Sequence, residues 1–304
     1  MPDMISGYRL LTPMRTAGSG SARWCFAARG LERFFLKEFL TPVWPVQEDT
    51  MLGRKQCERC ETFEDQKQRL YTAISCVIGD TLVPVIDFFQ YERRYYAVSE
   101  AVAEECQCLE TAAEMDDGQK RALLYELALC LQRLHTQGVV HADLKPDHVL
   151  LVRRPEGWKP RLIDLDSGFL EHEPPQHSCD MEGDPVYLAP EAFLRMIGQE
   201  VRVDRKLDTF AFGIMIHQLW TGEMPGFDQQ RYQYLYEAVL EGAQIMLSSS
   251  LPQEYHAVVK GMLSLQPEDR PEDAQVTALF ETRPSVQRSR ASRPVNGLMR
   301  RMHT

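Results

Sequence analysis

His141-Ala142-Asp143-Leu144-Lys145-Pro146-Asp147-His148-Val149-Leu150-Leu151 is the stretch on which the reading of this chain turns. Acids, histidines and a lysine surround a proline and give way to three aliphatic residues, the pattern of a polar loop running into a buried strand. Just upstream, Leu123, Leu124, Leu127, Leu131 and Leu134 recur at helical spacing. Asp116 or Asp117 can cap that helix, and Gly138 suits its exit. Downstream, Arg161-Leu162-Ile163-Asp164-Leu165-Asp166-Ser167-Gly168 brings two more acids after a short apolar run. A long helix, a charged turn, a strand and an acidic turn thus follow one another.

The pattern differs on the two sides of residue 110. Before it, Tyr8–Leu11, Arg23–Ala28 and Arg33–Phe39 read as strands. Val83–Phe89 and Arg94–Val98 read as two more, joined by a polar turn at 90–93. One helix interrupts them, marked by Phe63, Leu70 and Ile74. After residue 110 the spacing is helical, and Asp208–Trp220 is apolar nearly all round, as in a helix at the centre of a lobe. Further helices are expected around 232–242, 254–263 and 274–280. The fold class is therefore α+β. The chain divides into a β-rich N-lobe over 1–102, a helical C-lobe over 103–282 and a basic tail over 283–304 without apolar period.

These segments, in this order, resemble the eukaryotic-type serine/threonine protein kinase family. The stretch 141–151 is similar to its catalytic loop and 161–168 to its metal-binding loop. Gly183-Asp184-Pro185-Val186-Tyr187-Leu188-Ala189-Pro190-Glu191 resembles the end of its activation segment, and Asp208–Gly213 its central helix. Arg270 stands where the family pairs an arginine with the glutamate of Ala-Pro-Glu, here Glu191. The resemblance implies a bilobal fold, ATP and Mg²⁺ as cofactors, and protein substrates bearing Ser or Thr. It assigns Asp143 to accept the substrate hydroxyl's proton and Lys145 to screen the transferring phosphate. Asp164 would hold the metal, carboxylate oxygen being the hard ligand magnesium prefers. Gly18 and Gly20 would bring backbone N–H groups to the phosphates, and Lys37 would hold the α- and β-phosphates. The backbones of Glu100 and Val102 would meet the adenine edge, with Ser99 behind them.

Several positions depart from the family pattern. Ala142 replaces the arginine that receives a loop phosphate. Phe35 replaces a small residue and, two before Lys37, shares its strand face. Arg23 stands at the third glycine. Among Glu61, Glu64 and Gln66, Glu64 is taken as the helix acid that pairs with Lys37. His148 replaces an asparagine and Asp166 a glycine. Both are candidate metal ligands beside Asp164, and imidazole extends the choice of ion to Mn²⁺. A pseudokinase scaffold and a small-molecule kinase stay open as rival readings.

Composition sets the outer bounds. The 304 residues are 44% apolar and 26% charged, with a net charge of −10. Those are the proportions of a globular protein able to bury a large core. Six arginines and no acid lie from Arg283 onward, which leaves −16 on the rest. So acidic a body argues against nucleic acid as a ligand. No apolar run reaches the ~18 residues of a membrane span, and no leader segment is visible at Met1. A cytoplasmic protein with reduced cysteines is expected, since Cys57-x-x-Cys60 and Cys106-x-Cys108 lack the setting of a zinc knuckle.

Overall fold

The computed structural model describes residues 4–16, 22–102 and 106–281. Its N-terminal part is a curled antiparallel sheet. Strands β1 (Met4–Ile5), β2 (Tyr8–Leu10), β3 (Arg15–Thr16), β4 (Ala22–Arg29) and β5 (Glu32–Phe39) precede helix α1 (Met51–Ser75). Strands β6 (Val85–Tyr91) and β7 (Arg94–Glu100) follow it. The order across the sheet is β1-β2-β4-β5-β7-β6, with β3 also paired to β4.

Register assigns the two faces. Trp24 pairs with Lys37 and Phe26 with Phe35 across β4 and β5, while Lys37 faces Ala97 and Phe35 faces Ser99 on β7. Directly opposed residues project to the same side, so Trp24, Phe26, Phe35 and Lys37 share the face that looks onto the C-lobe. The opposite face buries Cys25, Phe34, Leu36, Tyr96 and Val98 with Ile5 and Tyr8. Helix α1 is capped by the Thr50 hydroxyl, which accepts from the Gly53 N–H at 2.9 Å. It begins twelve residues before Phe63, the first apolar marker in the sequence, because its first turns bury only Gly53 and Cys60.

The C-terminal part is mainly helical. A short strand β8 (Gln107–Cys108) leads to α2 (Asp117–Thr136), whose leucine stripe lies in the main core. Strands β9 (Val139–Val140), β10 (Val149–Arg154), β11 (Gly157–Leu162) and β12 (Phe169–Leu170) frame the two polar loops between them. Helices α3 (Pro190–Met196), α4 (Lys206–Thr221), α5 (Leu235–Leu240), α6 (Gln253–Met262) and α7 (Asp273–Phe280) complete it. Helix α3, absent from the expectation, is one short helix entered through Pro190, too brief to show a period. Helix α4 is buried at fourteen of its sixteen positions, as its uniform hydrophobicity predicts. Arg270 forms a bidentate pair with Glu191 at 2.6 and 2.8 Å, both side chains almost wholly buried.

The two parts meet at the 81–83 segment. Val83 donates to the Leu162 carbonyl at 2.9 Å and Leu162 donates to that of Thr81, so β11 and the loop after it are tied to the sheet. No described helix is long and apolar enough to cross a membrane.

Candidate active site

The loop 141–148 hangs from helix α4. Buried Asp208 accepts from the backbone N–H of His141 at 2.7 Å and of Ala142 at 2.9 Å. His135, at the end of α2, bonds Asp208 at 3.0 Å and Asp273 of α7 at 2.9 Å. Burial works against protonation of this imidazole, but the two carboxylates outweigh it and raise its pKa to about 9. Ala142 has φ +66°, a left-handed conformation that costs a non-glycine residue stability and is held here by the Asp208 bonds.

That anchoring fixes Asp143. One carboxylate oxygen accepts from the Asp184 N–H at 2.9 Å, and the other lies 3.0 Å from Lys145 Nζ. Lys145 also lies 3.6 Å from Asp184. Burial disfavours its charge, yet the Asp143 carboxylate more than offsets this and raises its pKa. His148 Nδ1 lies 2.8 Å from the Asp143 carbonyl oxygen. A carbonyl only accepts, so Nδ1 carries the proton and Nε2 keeps a lone pair. That nitrogen lies 3.6 Å from Asp164 Oδ2. Burial keeps the ring neutral by lowering its pKa.

Asp164, at φ +62°, lies across the cleft from β5. Lys37 Nζ is 2.9 Å from both of its carboxylate oxygens and 2.5 Å from Asp166 Oδ2. Burial opposes the Lys37 charge, but Asp166 and Asp164 together raise its pKa. Burial also opposes ionisation of Asp164, and the Lys37 ammonium outweighs it, taking its pKa down to about 2. Lys37 with Asp164 and Lys145 with Asp143 therefore form two charged pairs in one cleft, with the His148 imidazole between them.

Other expected site residues lie elsewhere. Glu64 is not on Lys37: its carboxylate accepts from the Tyr95 hydroxyl at 3.3 Å and from Gln68 at 3.2 Å. Glu61 and Gln66 are exposed. The residue that α1 sends into the cleft is Lys67, whose ammonium donates to the Asp166 carbonyl oxygen. Asp166 does not stand beside Asp164 as a second free carboxylate. Its Oδ1 accepts from the Tyr71 hydroxyl at 3.3 Å while Oδ2 meets Lys37. Glu100 ends β7 with its side chain on Arg161 at 2.9 Å, and Val102 is half-buried just beyond. Arg23 leaves the cleft to pair with buried Glu38 at 2.7 Å. Gly18 and Gly20 lie outside the described residues, as does the tail from residue 282.

Phe35 does face the cleft. It stacks on Trp24 at 5.4 Å and meets Phe26 edge-on at 6.1 Å, so the roof of the site is aromatic. Among the described residues no group of three or more His, Cys, Asp and Glu side chains stands ready to hold a metal, so a divalent cation here would draw on one carboxylate and on the phosphates it comes with. Mg²⁺ is commonly held by one or two carboxylates, with phosphate oxygens and water completing its shell. Here Asp164 offers the carboxylate and His148 Nε2 a neutral nitrogen beside it.

Comparison with known proteins agrees with this geometry. The model of the protein kinase domain matches residues 54–279. The chain is 30% identical over 161 residues to the serine/threonine-protein kinase Pkn1 of Myxococcus xanthus, covering 52% of this chain and 22% of that protein. It is 29% identical over 196 residues to pkn2 of the same organism, covering 59% and 22%. Calcium-dependent protein kinase 4 of Solanum tuberosum is 30% identical over 143 residues, covering 46% and 24%. The matched stretch spans under a quarter of each relative. With a family model matched across residues 54–279, most of its length, the chain belongs to the protein kinase domain family.

Proposed function

We propose that the protein is an ATP-dependent serine/threonine protein kinase, transferring the γ-phosphate of ATP to Ser or Thr hydroxyls of protein substrates. The observation that carries this reading is the run of side chains along one cleft, Lys37 paired with Asp164, then the His148 ring, then Asp143 paired with Lys145. Phosphoryl transfer depends on positioning and on neutralising charge, and this run places cations and carboxylates along one cleft. MgATP, when bound, supplies the transferable phosphoryl group and the cation that offsets its charge.

The chain's own residues do the rest. Asp143, held by the Asp184 N–H and by Lys145, takes the substrate hydroxyl's proton and orients the oxygen. Lys145 sits beside it as a cation for the phosphate in transit. Lys37 binds α- and β-phosphate oxygens, and Asp164 with His148 Nε2 would hold the metal. The Glu100 and Val102 backbones, at the end of β7, would meet the adenine edge beneath the Phe35 stack, while Gly18 and Gly20 would cover the phosphates. The division into lobes at 102 and 282 goes with this reading. The names of the relatives, serine/threonine-protein kinases, support the choice of hydroxyl. The acidic body supports protein over nucleic acid as substrate, and the free cysteines among the described residues support the cytoplasm as its place.

Incubation with labelled ATP, Mg²⁺ or Mn²⁺ and a generic basic protein tests the reading. Transfer to Ser or Thr is expected from the wild type. Asp143→Asn, which keeps the shape but takes no proton, is expected to lose about 10²–10⁴ in kcat with nucleotide affinity retained. Full activity in that variant, or a wild type that binds nucleotide without transferring phosphate, refutes it.

A further inference from the structure

Among the described residues, helix α1 brings no acid to Lys37. It brings a cation and a phenol to the loop that does. Lys67 and Tyr71 are four residues apart, so they project from one helix face, and both grip residue 166. Lys67 donates to its carbonyl oxygen, and Tyr71 donates to Oδ1 at 3.3 Å. The remaining oxygen, Oδ2, meets Lys37 at 2.5 Å. The Lys67 ammonium is itself surrounded by aromatic rings, 5.7 Å from the centroids of Phe39 and Phe63 and 6.0 Å from that of Tyr71. Such faces favour a cation, so the lysine is held at this spot and not merely near it.

The geometry points to Asp166 as the positioning residue for Lys37, coupled to helix α1 through Lys67 and Tyr71. This rests on Lys37 being the phosphate-binding lysine of the reading above. Three arguments lead here. Asp166 is engaged on every side: its carbonyl accepts from Lys67, Oδ1 accepts from Tyr71, Oδ2 forms the ion pair with Lys37, and its N–H donates to Asp164 Oδ1 at 3.4 Å. Next, Lys37 is shared between two carboxylates, and Asp164 is the more exposed of the two side chains, at 31% against 17%. Asp164 can turn toward a cation in the cleft while Asp166 keeps Lys37 aimed. Finally, charge balances locally, with Lys37 and Lys67 against Asp164 and Asp166. An acid on α1 would upset that balance, whereas a lysine completes it. The position of α1 is thus read in the cleft through a main-chain carbonyl on the loop.

A double-mutant cycle on the full chain tests this. Wild type, Asp166→Asn, Lys37→Ala and the double variant are compared by urea unfolding without nucleotide or metal. They are also compared by initial rates over graded Mg²⁺. In the wild-type background Asp166→Asn is expected to change the unfolding equilibrium constant roughly tenfold, and under about threefold once Lys37 is Ala. It is expected to lower kcat/KM roughly tenfold with the Mg²⁺ half-saturation unmoved. An equal unfolding cost in both backgrounds, or a displaced Mg²⁺ half-saturation, overturns the assignment, the latter returning Asp166 to the metal. A wild type without transferase activity would sink the proposed function, and the unfolding cycle would still decide whether Asp166 holds Lys37.

Discussion

Replacing His135 by Gln is predicted to remove about 2 kcal/mol of the stability lost between pH 7 and 9. The imidazole is buried between Asp208 and Asp273, with side-chain exposure of 2%. The first of these carboxylates, Asp208, also carries the loop that begins at His141. The His135 pKa is about 9 in the fold against 6.5 in the unfolded chain. A folded pKa above the unfolded one means that the native state binds the proton more tightly. The contribution is therefore complete below pH 6.5 and disappears as pH rises through 9. At 1.36 kcal/mol per pKa unit it amounts to about 3 kcal/mol, of which about 2 is lost between pH 7 and 9. Breaking a buried pair from one side costs about 3–5 kcal/mol, which places the pH 7 penalty of His135→Gln in the same range. Urea unfolding of both proteins at pH 6, 7, 8 and 9 measures the difference. Two curves that stay parallel across that interval would refute the charged-histidine account.

Other outcomes follow from the same contacts. Arg270→Met leaves Glu191 buried and unpaired and removes the bond to the Lys206 carbonyl, so a loss of about 3–5 kcal/mol is expected by chemical denaturation. Gly213→Ala would set a Cβ 2.8 Å from that of Met262, where α4 crosses α6, and is expected to cost about 1–3 kcal/mol in the same assay. Ser178→Ala is expected to leave the initial rate within about twofold. The loop around it is fastened without phosphate, by Glu173 to Arg69 at 2.7 Å and Glu171 to Arg205 at 3.1 Å. A large loss of rate in that variant would show that modification of the exposed Ser178 matters.

The parts of the site read most directly were those written in one contiguous loop. Asp143, Lys145 and His148 lie within six residues of each other, and local turn chemistry decides where they point. Strand alternation likewise placed Phe35 and Lys37 on one face, since a period of two leaves no choice. Helix α1 was harder, because its register is set by what it packs against. The expectation looked for an acid and found Glu64. The structure instead turns inward the face that bears Phe63, Lys67 and Tyr71, spaced four apart. That spacing was visible, as was the surplus carboxylate at Asp166, but only the tertiary contact joins them. His135 was hidden for a similar reason: its partners are 73 and 138 residues away.

The fastening of the activation segment by Glu171 and Glu173 has a consequence for control. A phosphate on such a segment is written by one enzyme and erased by another, so its charge records a signal. A carboxylate is part of the polypeptide and persists for the life of the molecule. A segment held in this way keeps no memory of upstream events, and no phosphatase can release it. Under the proposed kinase reading, such a segment would need no upstream enzyme to hold it in place.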